Sequence, residues 1–176
     1  MDFKHKTLET NALEIVALSA SLMSNASRLV DTTFGHHKTK RYSPSDRIKK
    51  YLKSKEWKFD EKEYVDLKYF VLKPVGSSKV LGFVGFYRNK KDGPRKIWID
   101  WLVVDPSSRG RGFGSLLVDF AIEYAKYRGN TFLLLYTTNH AEEAKAQTLY
   151  AKKGFRVKEV KPGISWTGFV KEKLIA

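Results

Sequence analysis

Leu13, Val16, Ala17 and Ala20 recur at helical spacing within "ALEIVALSASLM", and Asn11 with Glu14 three residues later has the form of a capping box. This pattern predicts a first helix continuing toward Val30. Ser43-Pro44-Ser45-Asp46 then offers a cap, a proline for the first helical position and an acid for the first turn, and Ile48, Tyr51 and Leu52 supply the apolar stripe of a second helix. From Tyr64 the period changes. The runs "YVDLKYFVLKP", "KVLGFVGFYR" and "KIWIDWLVVDP" are rich in β-branched and aromatic residues and are separated by the turn-like "VGSS" and "NKKDGP", which predicts an antiparallel meander.

A third helix is predicted from about Gly112 to Arg128, with Leu117, Phe120, Ala121 and Tyr124 on one face and Asp119, Glu123 and Lys126 on the other. Gly129 and Asn130 end it. "TFLLLYTT" reads as a strand buried on both faces, parallel to its predecessor across the crossover helix. Asn139 is expected to cap a further helix ended by Gly154, and "FRVKEV" and "ISWTGFVKEKL" close the chain as strands. The predicted order is two helices, three strands, helix, strand, helix, two strands. It contains one strand-helix-strand unit, and "DPSSRGRGFGSLL" forms that unit's first turn.

Composition narrows the function classes. The 176 residues suit one domain with a substantial core. The absence of cysteine excludes disulfides, thiolate metal sites and cysteine nucleophiles. No apolar run has membrane-spanning length, and "MDFKHKTLET" lacks the apolar core of a signal peptide, so a cytoplasmic location with no membrane partner is expected. Thirty-three basic residues against 19 acidic ones give +14, a charge that favours polyanions. The lysines are spread along the chain, as on solvated faces, so nucleic acid is not expected as the main ligand.

A strand running into a helix N-terminus leaves backbone N–H groups unpartnered beside the positive end of the helix dipole. Gly110, Gly112 and Gly114 allow close approach there, and Arg109 and Arg111 add donors, so a phosphate or pyrophosphate is the expected guest. The P-loop pattern fails because no Gly-Lys pair is present. The dinucleotide fingerprint G-x-G-x-x-G meets Ser115 where its third glycine belongs, and the next strand ends without a ribose-binding acid.

Arg109-Gly110-Arg111-Gly112-Phe113-Gly114 resembles the R/Q-x-x-G-x-G/A loop of the GNAT superfamily of N-acetyltransferases. Ala146, Leu149, Tyr150, Gly154 and Phe155, within "AQTLYAKKGF", resemble that family's A-x-x-L-Y-x-x-x-G-F signature. The resemblance implies an α/β (α+β) fold: a mixed, mostly antiparallel twisted sheet of about six to seven strands, helices on both faces, and a central parallel β-α-β unit splayed to admit CoA. It implies one domain over 1–176, made of N-terminal helices and an acceptor-side loop (1–60), a CoA-binding core (64–156) and C-terminal strands (157–176). It also implies acetyl transfer from acetyl-CoA to a primary amine, without a metal, in a monomer or homodimer. The pyrophosphate would lie on the backbone of Arg109, Gly110, Arg111, Gly112, Phe113, Gly114 and Ser115. A bulge late in the preceding strand would expose the backbone of Leu102, Val103 and Val104 to pantetheine, with the Val104 N–H polarising the thioester carbonyl. A CoA-binding or nucleic-acid-associated module of the same fold, without turnover, is the alternative.

Aminolysis needs a neutral amine, a polarised carbonyl and a proton for the departing thiolate. At pH 7 neutralising a lysine costs about 4.6 kcal/mol, whereas an α-amine costs about 1.2 kcal/mol. Tyr150 matches the family tyrosine that protonates the thiolate; equally, it falls on the buried stripe with Ala146 and Leu149. Strict alternation puts Trp98, Asp100, Leu102 and Val104 on one face, making Asp100 the candidate base, unless the bulge breaks that parity. The bland reading of Asp100 is a salt-bridged or capping carboxylate, and Asp105 reads as turn punctuation. Two departures stand out: Glu143 occupies the position, seven before Tyr150, where many members carry asparagine, and Tyr136-Thr137-Thr138 lacks an acid, leaving Asp100 or water as the base.

His36-His37 has no third ligand at metal-site spacing. By the family layout "FGHHKTKRY" and "VKPGISW" would flank the acceptor and bias it toward acidic or phosphate-bearing amines; otherwise they are exposed basic loops. Trp57, Trp98, Trp101 and Trp166 read as core residues before ligand platforms.

Overall fold

A computed structural model describes residues 6–8, 13–35, 43, 45–53 and 64–175. In chain order the elements are β1 (Lys6–Leu8), β2 (Leu13–Ala17), α1 (Met23–Thr33), α2 (Asp46–Lys53), β3 (Tyr64–Pro74), β4 (Gly82–Asn89), β5 (Lys96–Val104), α3 (Phe113–Tyr127), β6 (Phe132–Thr138), α4 (Ala144–Lys152), β7 (Arg156–Lys161) and β8 (Gly168–Leu174). Among the described residues the strands form one sheet of eight, in the order β1-β2-β3-β4-β5-β6-β8-β7. Every neighbouring pair is antiparallel except β5 and β6, which α3 joins as a parallel crossover.

The meander, the crossover unit and the closing strands form where the hydrophobic pattern puts them. The start of the chain does not. Residues 13–17 are a strand rather than the beginning of the first helix. They pair with β3 from Leu13↔Pro74 to Ala17↔Phe70, and β-branched Ile15 is buried in the core. The helical spacing was real but local, and pairing with a strand some sixty residues away overrode it. Helix α1 starts only at Met23, after one 3₁₀ turn over Ala20–Leu22. Asn11 lies outside the described residues.

Helix α2 has the predicted first-turn acid. Asp46 accepts from the Ser43 amide at 2.8 Å, and Asp31 of α1 accepts from the Ser45 amide at 3.0 Å and from the Ser43 and Ser45 hydroxyls at 2.6 Å each. Asn139 caps nothing: His140 stands at the next helical start, while Asn139 Oδ1 accepts from the Thr167 amide at 2.9 Å, tying the end of β6 to the entry of β8. Ile164–Thr167 stay outside the final strand.

Period-two alternation divides the interior between the two faces of the sheet. Phe70 and Leu72 of β3, Val84 and Phe86 of β4, and Leu133 and Leu135 of β6 meet Leu117, Phe120, Ala121 and Tyr124 of α3 and Tyr150 of α4. Tyr69 and Val71 of β3 and Phe83 of β4 meet Ala26, Leu29 and Val30 of α1 and Ile48 of α2. β5 contributes to both faces but changes parity: Ile97 and Ile99 face α3, whereas Val103 faces α1.

Candidate functional site

The change of parity is a β-bulge. Val84 of β4 pairs with Leu102 and Phe86 with Ile99, so Asp100 and Trp101 together lie opposite the single Gly85. The bulge ends the parallel ladder. β5 pairs with β6 from Lys96↔Phe132 only as far as Ile99↔Leu135, and beyond it the two strands diverge with no further pairing between them. The Asp105 amide donates to Leu81 O on the β4 side at 2.9 Å. Because N–H directions alternate along a strand, Leu102 and Val104 turn their amides away from β4 into the opening, while Val103 points its amide toward β4.

A cleft of about 670 Å³ occupies the opening. Its floor is β5 from Ile99 to Val104, one end is the glycine turn, and one wall is α4 with Glu143, Ala146, Leu149 and Tyr150. At the glycine turn Gly110 and Gly112 adopt left-handed φ of 79° and 82°, and Gly112 caps α3 without any side-chain hydrogen bond to the first helical amides. Phe113 is buried while the turn before it is exposed, and Arg109 Nε donates to Val104 O at 3.3 Å, bringing its charge beside the end of β5. The Arg111 guanidinium lies 4.9 Å from the Phe113 ring centroid. The turn thus presents α3 N-terminal amides, including those of Gly114 and Ser115, close in sequence to two arginines, an arrangement suited to an anion. Asp105 is turn punctuation as expected, accepting from the Ser107 amide and hydroxyl.

Tyr150 faces the cleft from the buried side of α4, its ring edge-on to Phe155 at 5.8 Å. Burial, reinforced by the charge of Glu143, pushes its phenol pKa well above the ordinary value and keeps it a proton donor at neutral pH. Glu143 itself is committed to the end of β6: it accepts from Thr137 Oγ1 at 2.6 Å, Thr138 Oγ1 at 2.8 Å and the Thr138 amide at 2.9 Å. The carboxylate in the asparagine's position thus ties the wall together.

Asp100 reaches the cleft from the face opposite to the one its sequence parity implied, because the bulge intervenes between it and Val104. Its side chain is 5% exposed, Oδ1 is ion-paired with the guanidinium of Arg47 on α2, and Oδ2 accepts from the Tyr69 hydroxyl at 2.9 Å. Burial raises its pKa against the opposing pull of Arg47 and Tyr69. The salt-bridged carboxylate considered as the bland reading is the geometry found.

Sequence reasoning missed the far end of the cleft, where Thr33 and Phe34 close α1 and Arg47 and Tyr87 come from α2 and β4. No local signal marks them, since they converge only through the tertiary fold. Ala146 and Leu149, named with Tyr150 in the sequence signature, line the cleft as well, and so does Lys145, which stands four residues before Leu149 on the same helix. Trp101 lines it too, 4.7 Å from Phe34, whereas Trp98 donates to Asp92 at 2.7 Å and Trp166 lies edge-on to His140. The first loop expected to flank the acceptor gives Phe34 to the wall, and among the described residues 160–166 give none. His36, His37 and Trp57 lie outside the described residues.

The comparisons with known proteins agree with this geometry. A family model described as the acetyltransferase (GNAT) family matches residues 35–155. An uncharacterized N-acetyltransferase of Methanocaldococcus jannaschii is 43% identical over 70 residues, which is 40% of this chain and 29% of that protein. Among solved structures, Ard1 from Thermoplasma volcanium superposes with a TM-score of 0.70 at 18% identity, covering 94% of this chain and 99% of that one. Spermidine N-acetyltransferase from Vibrio cholerae, in complex with CoA and spermine, gives 0.69 at 17% identity over 93% and 96%.

Proposed function

The chain belongs to the acetyltransferase (GNAT) family, and from that premise we propose that it transfers the acetyl group of acetyl-CoA to a primary amine by direct attack. The observation that carries the proposal is the break in the β5–β6 ladder after Ile99↔Leu135, which opens a cleft between the glycine turn and Tyr150. Acetyl-CoA would supply the activated thioester. The amides of the turn from Arg109 to Ser115 hold its pyrophosphate, with Arg109 and Arg111 neutralising charge. The backbone of Leu102 to Val104 lines the pantetheine path, and the Val104 N–H, turned into the opening, donates to the oxygen that becomes negative as the amine adds. As the carbon–sulfur bond breaks, the Tyr150 hydroxyl gives its proton to the leaving sulfur. The amine's proton leaves to water, because Asp100 is engaged by Arg47 and Tyr69.

The test is release of free thiol from acetyl-CoA across a panel of amines: an amino acid, a peptide with a free N-terminus, a polyamine and an aminoglycoside. Acetylation of one of them with one thiol per product supports the proposal. Heat of CoA binding with no thiol from any amine supports the CoA-binding module instead.

A further inference from the structure

We propose that Arg47 is a positioning residue for the acyl transfer, acting through Asp100 to hold the β5 bulge in the shape that turns the Leu102 and Val104 amides into the cleft. The inference rests on the acetyl-transfer reading of the site. Asp100 is one of the two residues that make the bulge, so wherever its carboxylate is fixed the bulge is fixed. It is fixed from two elements at once: Tyr69 of β3 donates to Oδ2 at 2.9 Å, and Arg47 of α2 pairs with Oδ1.

Gly85, directly across from the bulge, makes this possible. A Cβ there would come within 2.5 Å of the Tyr69 ring and 3.2 Å of Asp100 Cβ, so the phenol reaches the carboxylate only because β4 carries no side chain at that point. The carboxylate is 5% exposed and the guanidinium 18%, so removing the cation strands a charge inside the sheet next to the strand that carries the working amides. The groups facing Asp100 are Arg47 from α2, Tyr69 from β3 and Tyr87 from β4, and of these the guanidinium alone carries a positive charge. Asp100 also points to the α1–α2 face, whereas Leu102 and Val104 pack their side chains toward α3, so its influence on those amides travels through the backbone of the bulge. A carboxylate held this way acts as a fixed anchor and does not serve as the proton acceptor.

The test compares wild type, Arg47→Met, Asp100→Asn and the double variant. It uses acetyl-CoA with whichever panel amine the wild type acetylates fastest, CoA affinity by calorimetry, and amide hydrogen exchange at Val103 and Asp105, whose amides face β4. Arg47→Met is expected to lower kcat on the order of 10²-fold, the size of losing one oxyanion donor. It should leave the CoA dissociation constant within about threefold, since the glycine turn is untouched, and speed amide exchange at the bulge. Adding Asp100→Asn to Arg47→Met should recover at least about tenfold of kcat, because the amide still accepts from Tyr69 and no longer needs a cation. The proposal is overturned by an Arg47→Met protein with wild-type kcat and exchange, or by a double variant no faster than Arg47→Met. It is also overturned if Asp100→Asn abolishes turnover with or without Arg47 and removes the acidic limb of the kcat–pH profile, as a catalytic base requires. A wild type that acetylates nothing overturns the acetyl-transfer reading itself, and the exchange measurement then still reports whether Arg47 shapes the bulge.

Discussion

Tyr150 satisfies two descriptions at once. Its ring belongs to the core beside Phe155, and the same side chain lines the cleft. Burial and Glu143 keep the phenol protonated at neutral pH but also make it a weaker acid, so it yields its proton only against the negative charge that builds on a departing sulfur. Tyr150→Phe, which keeps the ring, is expected to lower kcat by about 10²-fold while CoA affinity stays within about threefold; steady-state kinetics beside a calorimetric titration checks both. The glycines of the turn divide by physical role. Gly112 is left-handed at φ 82°, so Gly112→Ala is expected to cost about 1–2 kcal/mol and weaken CoA binding. Gly114 lies inside α3, where an added Cβ would stand 3.4 Å from Leu149, so Gly114→Ala should be close to neutral in melting temperature. Both glycines were legible in the sequence as a motif. The side of the sheet taken by Asp100 was not, because one inserted residue reverses every later side chain and nothing in "KIWIDWLVV" marks where the insertion falls.

At the scale of elements, what the sequence showed was what local pattern controls. The strand "TFLLLYTT" has an apolar run too short for a helix, and Gly129, φ 70°, lies just past the end of α3 with the Asn130 amide on Ala125 O, as Gly-Asn after a basic last turn suggests. Residues 13–17 were misread because Leu13, Val16 and Ala17 fit a helix, while the partner that decides for a strand, 70–74, lies far along the chain. Long-range joints hold α2 in a similar way. Burial tends to raise the Asp31 carboxyl, but hydrogen bonds from Ser43 and Ser45 and the charge of Lys49 prevail and hold it below the ordinary value. A carboxylate depressed in the folded state adds stability above its unfolded pKa of about 3.9 and loses it as pH falls toward the folded value. Asp31→Asn should therefore melt below wild type at pH 6, with the two curves converging as pH drops below about 4.

For the molecule as a whole, the surplus of 14 positive charges fits a polyanionic co-substrate but does not locate it; the proposal places it on the glycine turn and the split ladder. Among the described residues no helix is long and apolar enough to cross a membrane. The cleft joins elements that otherwise pack on opposite faces of the sheet, α1 and α2 at one end and α3 and α4 at the other, so a molecule filling it should stabilise the whole chain. At 100 times its dissociation constant, acetyl-CoA is expected to contribute about 2.7 kcal/mol. For a domain of this size that raises the melting temperature by roughly 5–10 °C. Gly112→Glu, which sets a carboxylate against the pyrophosphate, should abolish the rise.

Thiol release coupled to mass analysis of the amine tests the central claim most directly. With acetyl-CoA and the amine panel, we expect one product heavier by a single acetyl group, formed in step with free CoA and lost in Gly112→Glu. Tight CoA binding with no acetylated amine and no thiol above the uncatalysed rate would contradict the account.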